Sequence, residues 1–504
     1  MRSYSHIMGA RTGKEFLAGL KSPREIWVGD DKVTDVASHP AFAGAAQTLA
    51  QVFDLQFEAR DDCLMPDPEN GEQINISHMI PRSREDLQRR HRCLQRISEF
   101  TVGLMGRTPD YMNVTYAGFA GRADEWAANH NERGAANLVE YQKYLRRKDI
   151  ALTHTIVQPT IDKAQGDAPA PGNDVALHKV ADTDHGIIVR GARILATLAP
   201  FADEIAVYPA MPLPEGADAY GVSFCIPMGT PGLKFICRDS CATPRNLFDH
   251  PLSSRFDEQD AFAIFDDVEV PSDRVFIDAN RDTYNSVMTT GWYPNVMQQT
   301  MIRAQTKLEF AYGLAMRMTE IINDVSPATK GMLGEISVYA ELTRAAIAAA
   351  EEQSFEWGNG VWFPHGGPLA SLRAILPTWF PRVGEIITLI GSHNLLAAPT
   401  RAQLDDKSLR PLIDQFLRGA KGVEAEERAR VFRLAWEFVG TALASRNELY
   451  ERFYLASGAR NMQLAHALAL KDRANRLVDG ILGKEHGGEE ASRDEKRKKL
   501  GLAL

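Results

Sequence analysis

From Ser83 the chain repeats apolar residues at helical spacing: Leu87, Leu94, Ile97 and Val102 share a face, Ser83 can cap the first turn, and Glu85 and Asp86 stand where the helix dipole favours anions. The pattern predicts a helix that delivers Arg107 at its end, because Pro109 disfavours α conformation at Thr108 and has no N–H to donate. A further helix is expected over about 125–147, after a loop at 118–121, closing on the cations Arg146-Arg147-Lys148. Upstream, residues 14–60 read as short helices joined by Pro- and Gly-containing turns, anchored by Phe16, Leu20, Ile26, Val33 and Val36.

The period changes near residue 150. Leu152-Thr153-His154-Thr155-Ile156-Val157 alternates as a strand does, and 186–197 reads as a hairpin hinged at Gly191. Short β-branched or aromatic runs at 204–208, 221–226, 233–237, 261–265 and 268–270, separated by Pro/Gly turns, have the spacing of a sandwich or barrel, and 163–173 reads as an exposed loop. After about residue 280 the helical period returns: Leu308, Tyr312, Ala315, Met318 and Ile322 line one face, and long segments follow at about 331–355, 369–396, 425–454 and 461–482. His365-Gly366-Gly367 reads as an interhelical turn and the residues from Gly483 as a polar tail. The expected fold class is therefore α+β: an N-terminal helical domain (1–149), a middle β-barrel or sandwich domain (150–280) and a C-terminal helical bundle with a polar tail (281–504). This order resembles the architecture of acyl-CoA dehydrogenases and their flavin-monooxygenase relatives, in which flavin lies between the β domain and the bundle.

Composition narrows the function without naming it. At 504 residues, 44% hydrophobic and 24% charged, with a formal net charge of -9, the chain has an ordinary globular make-up and no electrostatic case for nucleic acid. No apolar stretch approaches the length of a membrane span, and the N-terminal residues lack a signal-peptide core, so a cytoplasmic protein with no membrane partner is expected. The five cysteines suit a reducing compartment, and Cys237 and Cys241 have no second pair at zinc-site spacing, so no metal is expected. A Gly-x-Gly-x-x-Gly loop, a Walker loop, a His-Glu-x-x-His helix and a nucleophile elbow are all missing, so any flavin is held without a Rossmann domain.

The chemistry-bearing residues flank the helix-to-β boundary. Arg107 offers a permanent cationic donor, Tyr111 a hydroxyl and His154 a group able to give or take a proton near neutral pH. Taken alone, Gly106-Arg107-Thr108-Pro109-Asp110-Tyr111 is a helix stop with a paired Arg and a packed Tyr, and His154 a satisfied strand histidine. Ser253, Ser254, Arg255, Asp257 and Glu258 read equally as a salt-bridged turn or as a flavin- or interface-facing group.

Together with Leu152-Thr153-His154-Thr155-Ile156-Val157-Gln158-Pro159-Thr160-Ile161-Asp162 and His250-Pro251-Leu252-Ser253-Ser254-Arg255-Phe256-Asp257-Glu258-Gln259-Asp260-Ala261, that first stretch resembles the oxygenase component of the two-component 4-hydroxyphenylacetate 3-monooxygenases. The likeness continues through Phe265 to Pro271 and Tyr450-Glu451-Arg452-Phe453-Tyr454, so it spans nearly the whole chain. It implies an enzyme that takes reduced, diffusible FAD from a separate NAD(P)H-dependent flavin reductase. With molecular oxygen the enzyme forms a flavin hydroperoxide and ortho-hydroxylates a para-substituted, 4-hydroxyphenylacetate-like phenol to a catechol, usually as a homotetramer.

The resemblance further implies that Arg107, Tyr111 and His154 meet the phenol oxygen. His154, Thr155, Ile156, Thr160, Ile161, Asp162 and Lys163 would border the flavin and Thr197 would touch its rings. Ala456, Ser457, Gly458 and Ala459 occupy the place of a family turn that contacts FAD, with Ser457 standing where an acid is usual. Ser272 stands where Trp is common, and Gly291-Trp292-Tyr293-Pro294-Asn295-Val296 lacks the histidine expected in relatives acting on chlorinated phenols. Two alternatives are an acyl-CoA dehydrogenase- or dehydratase-type flavoenzyme on the same fold, for which the cysteines are too few and badly placed to hold an iron–sulfur cluster, and a non-catalytic helical assembly protein.

Overall fold

The computed structural model describes residues 9–484 except 163, 165–168, 170, 243–245, 468 and 470. Two sheets form the middle of the molecule. One runs Asp31–Lys32, Glu25–Val28, Leu233–Cys237, Asp260–Pro271, Gly186–Thr197, His178–Asp182 in spatial order; the other runs Val275–Ile277, Ser223–Pro227, Glu204–Val207, Leu152–Thr155. Their facing side chains make one core, in which Val189, Ile205, Val207, Phe235 and Phe265 are buried and Phe224 meets Phe265 edge-on at 5.9 Å. A second core lies between the four-stranded sheet and the helices on either side of it in sequence, and holds Leu94, Leu138, Leu152, Ala206, Met301, Leu308 and Ile386.

The two-residue period of a strand decides which core each side chain joins. On Glu204–Val207, Ile205 and Val207 enter the sheet–sheet core while Ala206 enters the helical one. Leu152–Thr155 pairs with that strand in parallel, His154 opposite Ala206, so Leu152 and His154 point towards the helices. Thr153 and Thr155 turn the other way and donate to the carbonyls of Thr197 (2.5 Å) and Ile194 (3.1 Å).

Several elements depart from the sequence reading, each for a local reason. The helix capped by Ser83, whose hydroxyl accepts the Asp86 N–H at 3.1 Å, ends at Phe100 and not near Arg107. Val102 (φ 48°) and Gly103 (φ 70°) are left-handed and turn the chain there. A Cβ on Gly103 would lie 2.5 Å from the Arg303 carbonyl, so this turn needs glycine twice over. Pro109 starts a helix, Pro109–Gly121, as its first residue, which its fixed φ favours; the loop expected at 118–121 is the last turn of that helix. Within 14–60, read as helical, Glu25–Val28 and Asp31–Lys32 are strands, because Glu25–Val28 finds a parallel partner in Leu233–Cys237. The hairpin expected at Gly191 is one continuous strand, Gly186–Thr197, along Asp260–Pro271; Gly191 (φ 120°) lets the Ala176 carbonyl approach to 2.6 Å of where a Cβ would stand.

The C-terminal helices Trp292–Ile322, Pro327–Glu352, Gly366–Gly391, Ala425–Val439 and Ala442–Phe453 form a bundle. His365 caps Gly366–Gly391 after a small hairpin, Phe355–Gly358 with Val361–Phe363, that the sequence reading did not contain. Among the described residues no helix is long and apolar enough to cross a membrane. Residues 485–504 of the expected tail lie outside the described residues.

Candidate active site

Arg107 sits in the link, residues 104–108, between the Gly103 turn and Pro109. A backbone with no regular partners needs others, and the buried Glu258 supplies them: its Oε2 accepts the N–H groups of Gly106 (2.9 Å) and Arg107 (3.1 Å). Its other oxygen accepts from Arg446 at 2.7 Å. Arg446 also bonds both oxygens of Asp260 (2.6 and 2.8 Å), which in turn accepts from the Thr197 hydroxyl at 2.8 Å. Burial alone would raise the Asp260 pKa; Arg446 and Arg238 overcome it and hold the carboxyl well below its usual range. One charge-assisted network thus ties the Arg107 link to the strand carrying Thr197.

The Arg107 guanidinium lies among phenols. Its Cζ stands 4.0 Å from the Tyr111 ring centroid, 5.3 Å from that of Tyr450 and 5.6 Å from that of Tyr454, and Nη1 donates to the Tyr450 hydroxyl at 2.5 Å. Tyr450 and Tyr454, one helical turn apart, stack at 4.4 Å. Burial works against the charge of Arg107, but Tyr111, Tyr450 and Glu258 outweigh it and raise its pKa. Its Nε and Nη2 carry no protein hydrogen bond among the described residues, which leaves donors for a ligand.

Gly106 makes the Tyr450 contact feasible. A Cβ there would fall 2.0 Å from the Tyr450 hydroxyl and 2.4 Å from its ring carbon, and the ring is fixed by its stack. Gly106→Ala should push Tyr450 off Arg107, lowering catalytic efficiency by about tenfold or more while costing only about 1–3 kcal/mol of stability. Steady-state rates set beside urea unfolding check this; an unchanged rate would show that the Arg107–Tyr450 contact is dispensable.

His154 is sandwiched, with Tyr111 stacked at 5.2 Å on one side and Tyr208 at 5.5 Å on the other. Both the His154 Nδ1 and the Tyr208 hydroxyl are buried without a protein partner. Burial, helped by the positive charge of Arg107, drives the imidazole pKa well below 6.5, so the ring is neutral at neutral pH. Because the folded pKa is depressed, the stabilisation is complete above the unfolded value, about 6.5, and drains away as pH falls below it. The stability of the wild type should therefore drop more steeply than that of His154→Gln below pH 6.5, by up to about 1.4 kcal/mol per pH unit. Parallel curves from urea unfolding at several pH values would contradict it.

Residues 12–277 match the family model described as 4-hydroxyphenylacetate 3-hydroxylase N terminal, and residues 284–483 match that described as 4-hydroxyphenylacetate 3-hydroxylase C terminal. The chain belongs to this family. The 4-hydroxyphenylacetate 3-monooxygenase oxygenase component of Thermus thermophilus is 36% identical over 94% of this chain and 97% of that protein. A Rhodococcus 4-nitrophenol 2-monooxygenase oxygenase component is 32% identical over 88% of this chain and 85% of its own length. A crystal structure of a 4-hydroxyphenylacetate 3-monooxygenase oxygenase component complexed with FAD and 4-hydroxyphenylacetate superposes with a TM-score of 0.89 at 35% identity, covering 94% of this chain and 98% of that one.

In this member of the 4-hydroxyphenylacetate 3-hydroxylase family, Arg107, Tyr111 and His154, which the resemblance grouped, lie together. The residues expected around a flavin are more dispersed. Thr155 is buried, Ile156 gives its carbonyl to Arg193 at 2.8 Å, and Thr197 joins the Asp260 network. Thr160, Ile161 and Asp162 follow the strand onto the surface, with Ile161 77% exposed; Lys163 lies outside the described residues. Ala456 (φ 75°), Ser457, Gly458 and Ala459 come directly after Tyr454 and Leu455, and Ser457 accepts the Arg460 N–H at 3.3 Å to open the helix Gly458–Ala467. They make no hydrogen bond to residues 154–156 among the described residues.

Sequence reasoning left open what Glu258 does, and it missed Tyr450 as the partner of Arg107, Tyr208 as the second face of the His154 stack, and Arg446. Asp257 and Glu258 turn out to be structural anchors: Asp257 binds Arg238 at 2.5 Å and the Cys241 N–H at 2.7 Å. The one available signal was Tyr450 and Tyr454 at i, i+4 spacing, which puts two phenols on one helix face.

Proposed function

We propose that this protein is the oxygenase half of a two-component, FAD-dependent phenol hydroxylase that converts a para-substituted phenol into a catechol. The observation that carries this reading is a permanently charged guanidinium with unspent donors over the Tyr111 ring, and next to that ring a neutral imidazole with an unpartnered nitrogen, all inside a buried aromatic stack. The same region fits a flat, largely apolar cofactor. Val157, Ile161 and Leu195 are 43%, 77% and 59% exposed next to Thr155, Ile156 and Thr197, an apolar surface that water alone would disfavour. His154 to Ile156, Thr160 to Lys163, Thr197 and Ala456 to Ala459 would hold FAD there. In its reduced form, and with molecular oxygen, FAD supplies the electrophilic oxygen atom that enters the ring.

The chain's own part is to make the phenol electron-rich and keep it still. Arg107 and Tyr111 donate to the phenol oxygen, favouring phenolate character and so activating the ortho carbon. His154, neutral and lacking a partner at Nδ1, accepts the phenol proton or a hydrogen bond at that atom. Glu258 fixes the Arg107 backbone, and Tyr111 and Tyr208 keep the imidazole plane from turning.

A separate NAD(P)H-dependent reductase delivers the cofactor, and the protein acts in the cytoplasm as a homotetramer. Exposed apolar side chains on the bundle, among them Leu389, Leu396, Phe453 and Ile481, support self-association, which light scattering tests. The functional test is to mix the protein with reduced FAD, oxygen and 4-hydroxyphenylacetate, tyramine, tyrosine or 4-coumarate. Catechol is expected from at least one; a panel that yields only peroxide rejects the reading.

A further inference from the structure

Arg193, on Gly186–Thr197, is a buried cation among neutral partners. It is 1% exposed, and among the described residues no carboxylate forms an ion pair with it. Its Nη1 donates to the Ile156 carbonyl at 2.8 Å, and the guanidinium faces the Tyr284 hydroxyl on Arg281–Ser286. With its amide oxygen turned to the guanidinium, Gln158 accepts from Nη2 at 3.0 Å and from Nε and Nη1 at 3.2 Å; the opposite orientation would set N–H against N–H. Other arginines near the site are neutralised: Arg303 by Glu451, Arg238 by Asp257, Arg446 by Glu258. Burial lowers the Arg193 pKa, and no carboxylate offsets it. A buried charge without an ion pair is costly to a fold, so what it holds in return matters.

What it holds is the segment that follows His154 and Thr155. Pairing of Gly186–Thr197 with Asp260–Pro271 joins Arg193 to Ala263 and Ala196 to Ala261, and skips Ile194 and Leu195. In this bulge Leu195 is left-handed at φ 62°, a strained conformation for a leucine. The freed Ile194 N–H goes to the Val157 carbonyl at 2.9 Å, and the Ile194 carbonyl accepts from the Thr155 hydroxyl. A bulge re-aims the side chains it carries, and here Val157 and Leu195 are both exposed, on the apolar surface assigned above to FAD. Arg193 grips the same segment from the buried side, at the carbonyl before Val157 and at the side chain after it.

We infer that Arg193 is a positioning residue for the cofactor: by clamping Ile156 and Gln158 from within, it fixes the Val157 and Leu195 surface that holds FAD. The inference rests on the FAD-dependent hydroxylase reading and adds the residue that stiffens the cofactor wall. The clamp needs donors in two directions at once, one for a backbone carbonyl and one for an amide oxygen. A planar guanidinium supplies both, whereas an ammonium is a single point donor and a thioether offers none. Without the clamp the segment keeps only its Val157–Ile194 and Thr155–Ile194 bonds, and the strained Leu195 bulge can relax.

Binding of reduced FAD to the full-length protein, measured without oxygen or phenol by ultrafiltration, should weaken about tenfold or more in Arg193→Met. Arg193→Lys should recover part of the loss, and Gln158→Leu should lose a smaller share. The double variant Arg193→Met, Gln158→Leu should bind no more weakly than Arg193→Met alone, because the two side chains act through one clamp. With reduced FAD saturating, the KM for 4-hydroxyphenylacetate should stay at the wild-type value, a split that general loosening of the fold would not produce. Wild-type affinity for reduced FAD in Arg193→Met, losses that multiply in the double variant, or a phenol KM that rises in step would each overturn the inference while leaving the hydroxylase reading in place. If Arg193→Met fails to fold, Arg193→Lys and Gln158→Leu decide by the same titration, and unchanged binding in both overturns it. A wild type that binds no reduced FAD removes the hydroxylase reading and the inference together.

Discussion

Arg107→Met should lower kcat/KM for catechol formation by about a hundredfold to a thousandfold, the size of effect seen when one preorganised donor to a developing oxyanion is removed. The fold should survive, because the link that carries Arg107 is held by Glu258 through backbone N–H groups and not by the guanidinium. The loss should appear in the phenol's ionisation as well as in rate. Without the cation, the bound phenol keeps its proton to higher pH, so the rate recovers partly on alkaline titration. Arg107→Lys should regain some of the charge effect but not the contact to Tyr450, since an ammonium lacks the fork that spans the Gly106 carbonyl, the Tyr450 hydroxyl and a ligand at once. Peroxide release should rise in both variants as oxygen is consumed without ring attack. Catechol and peroxide assayed together decide the matter: wild-type coupling in Arg107→Met would remove the proposed role.

Glu451→Ala should be the most destabilising of these changes, by about 3–5 kcal/mol. Glu451 is fully buried and accepts from Arg303 at 2.7 and 2.9 Å and from Lys307 at 2.9 Å, two cations one turn apart on Trp292–Ile322. Truncation leaves both charges buried with no counter-ion, which costs far more than the pair contributes when intact. Burial alone would raise the Glu451 pKa, but Arg303 and Lys307 reverse this and lower it below 4.5. The stabilisation is thus present above about 4.5 and lost as pH falls through the folded value. Urea midpoints of wild type and variant at pH 7 give the size, and convergence of the two curves in acid gives the sign. Activity should fall as well, because Arg303 donates to the Tyr454 hydroxyl at 3.1 Å and lies 5.5 Å from the Tyr450 ring, and those phenols face Arg107. Near-equal midpoints at pH 7 would mean that water reaches and solvates the two cations.

The two residues differ in how they could be found. Arg107 stands beside a proline break and a tyrosine, a polar cluster where a helical period stops, so its neighbours in the chain single it out, while the role expected of it came from the resemblance. Glu451 belongs to a helical repeat, and nothing in its spacing separates a buried counter-ion from a solvated one. Its partners lie 148 and 144 residues away.

The sequence by itself determined the order of helix, β and helix and the strand that presents His154, because hydrophobic period and proline chemistry act over a few neighbouring residues. Only the tertiary structure decided where the Ser83 helix stops, since Gly103 is needed for the approach of Arg303, and that Gly186–Thr197 is one strand, since Asp260–Pro271 runs beside it throughout. It alone decided that Tyr450 closes on Arg107 and that Tyr208 backs His154. The physical reason is the same in each case: these contacts join segments far apart in the chain, where what matters is which groups share a buried volume, and local periodicity carries no record of that.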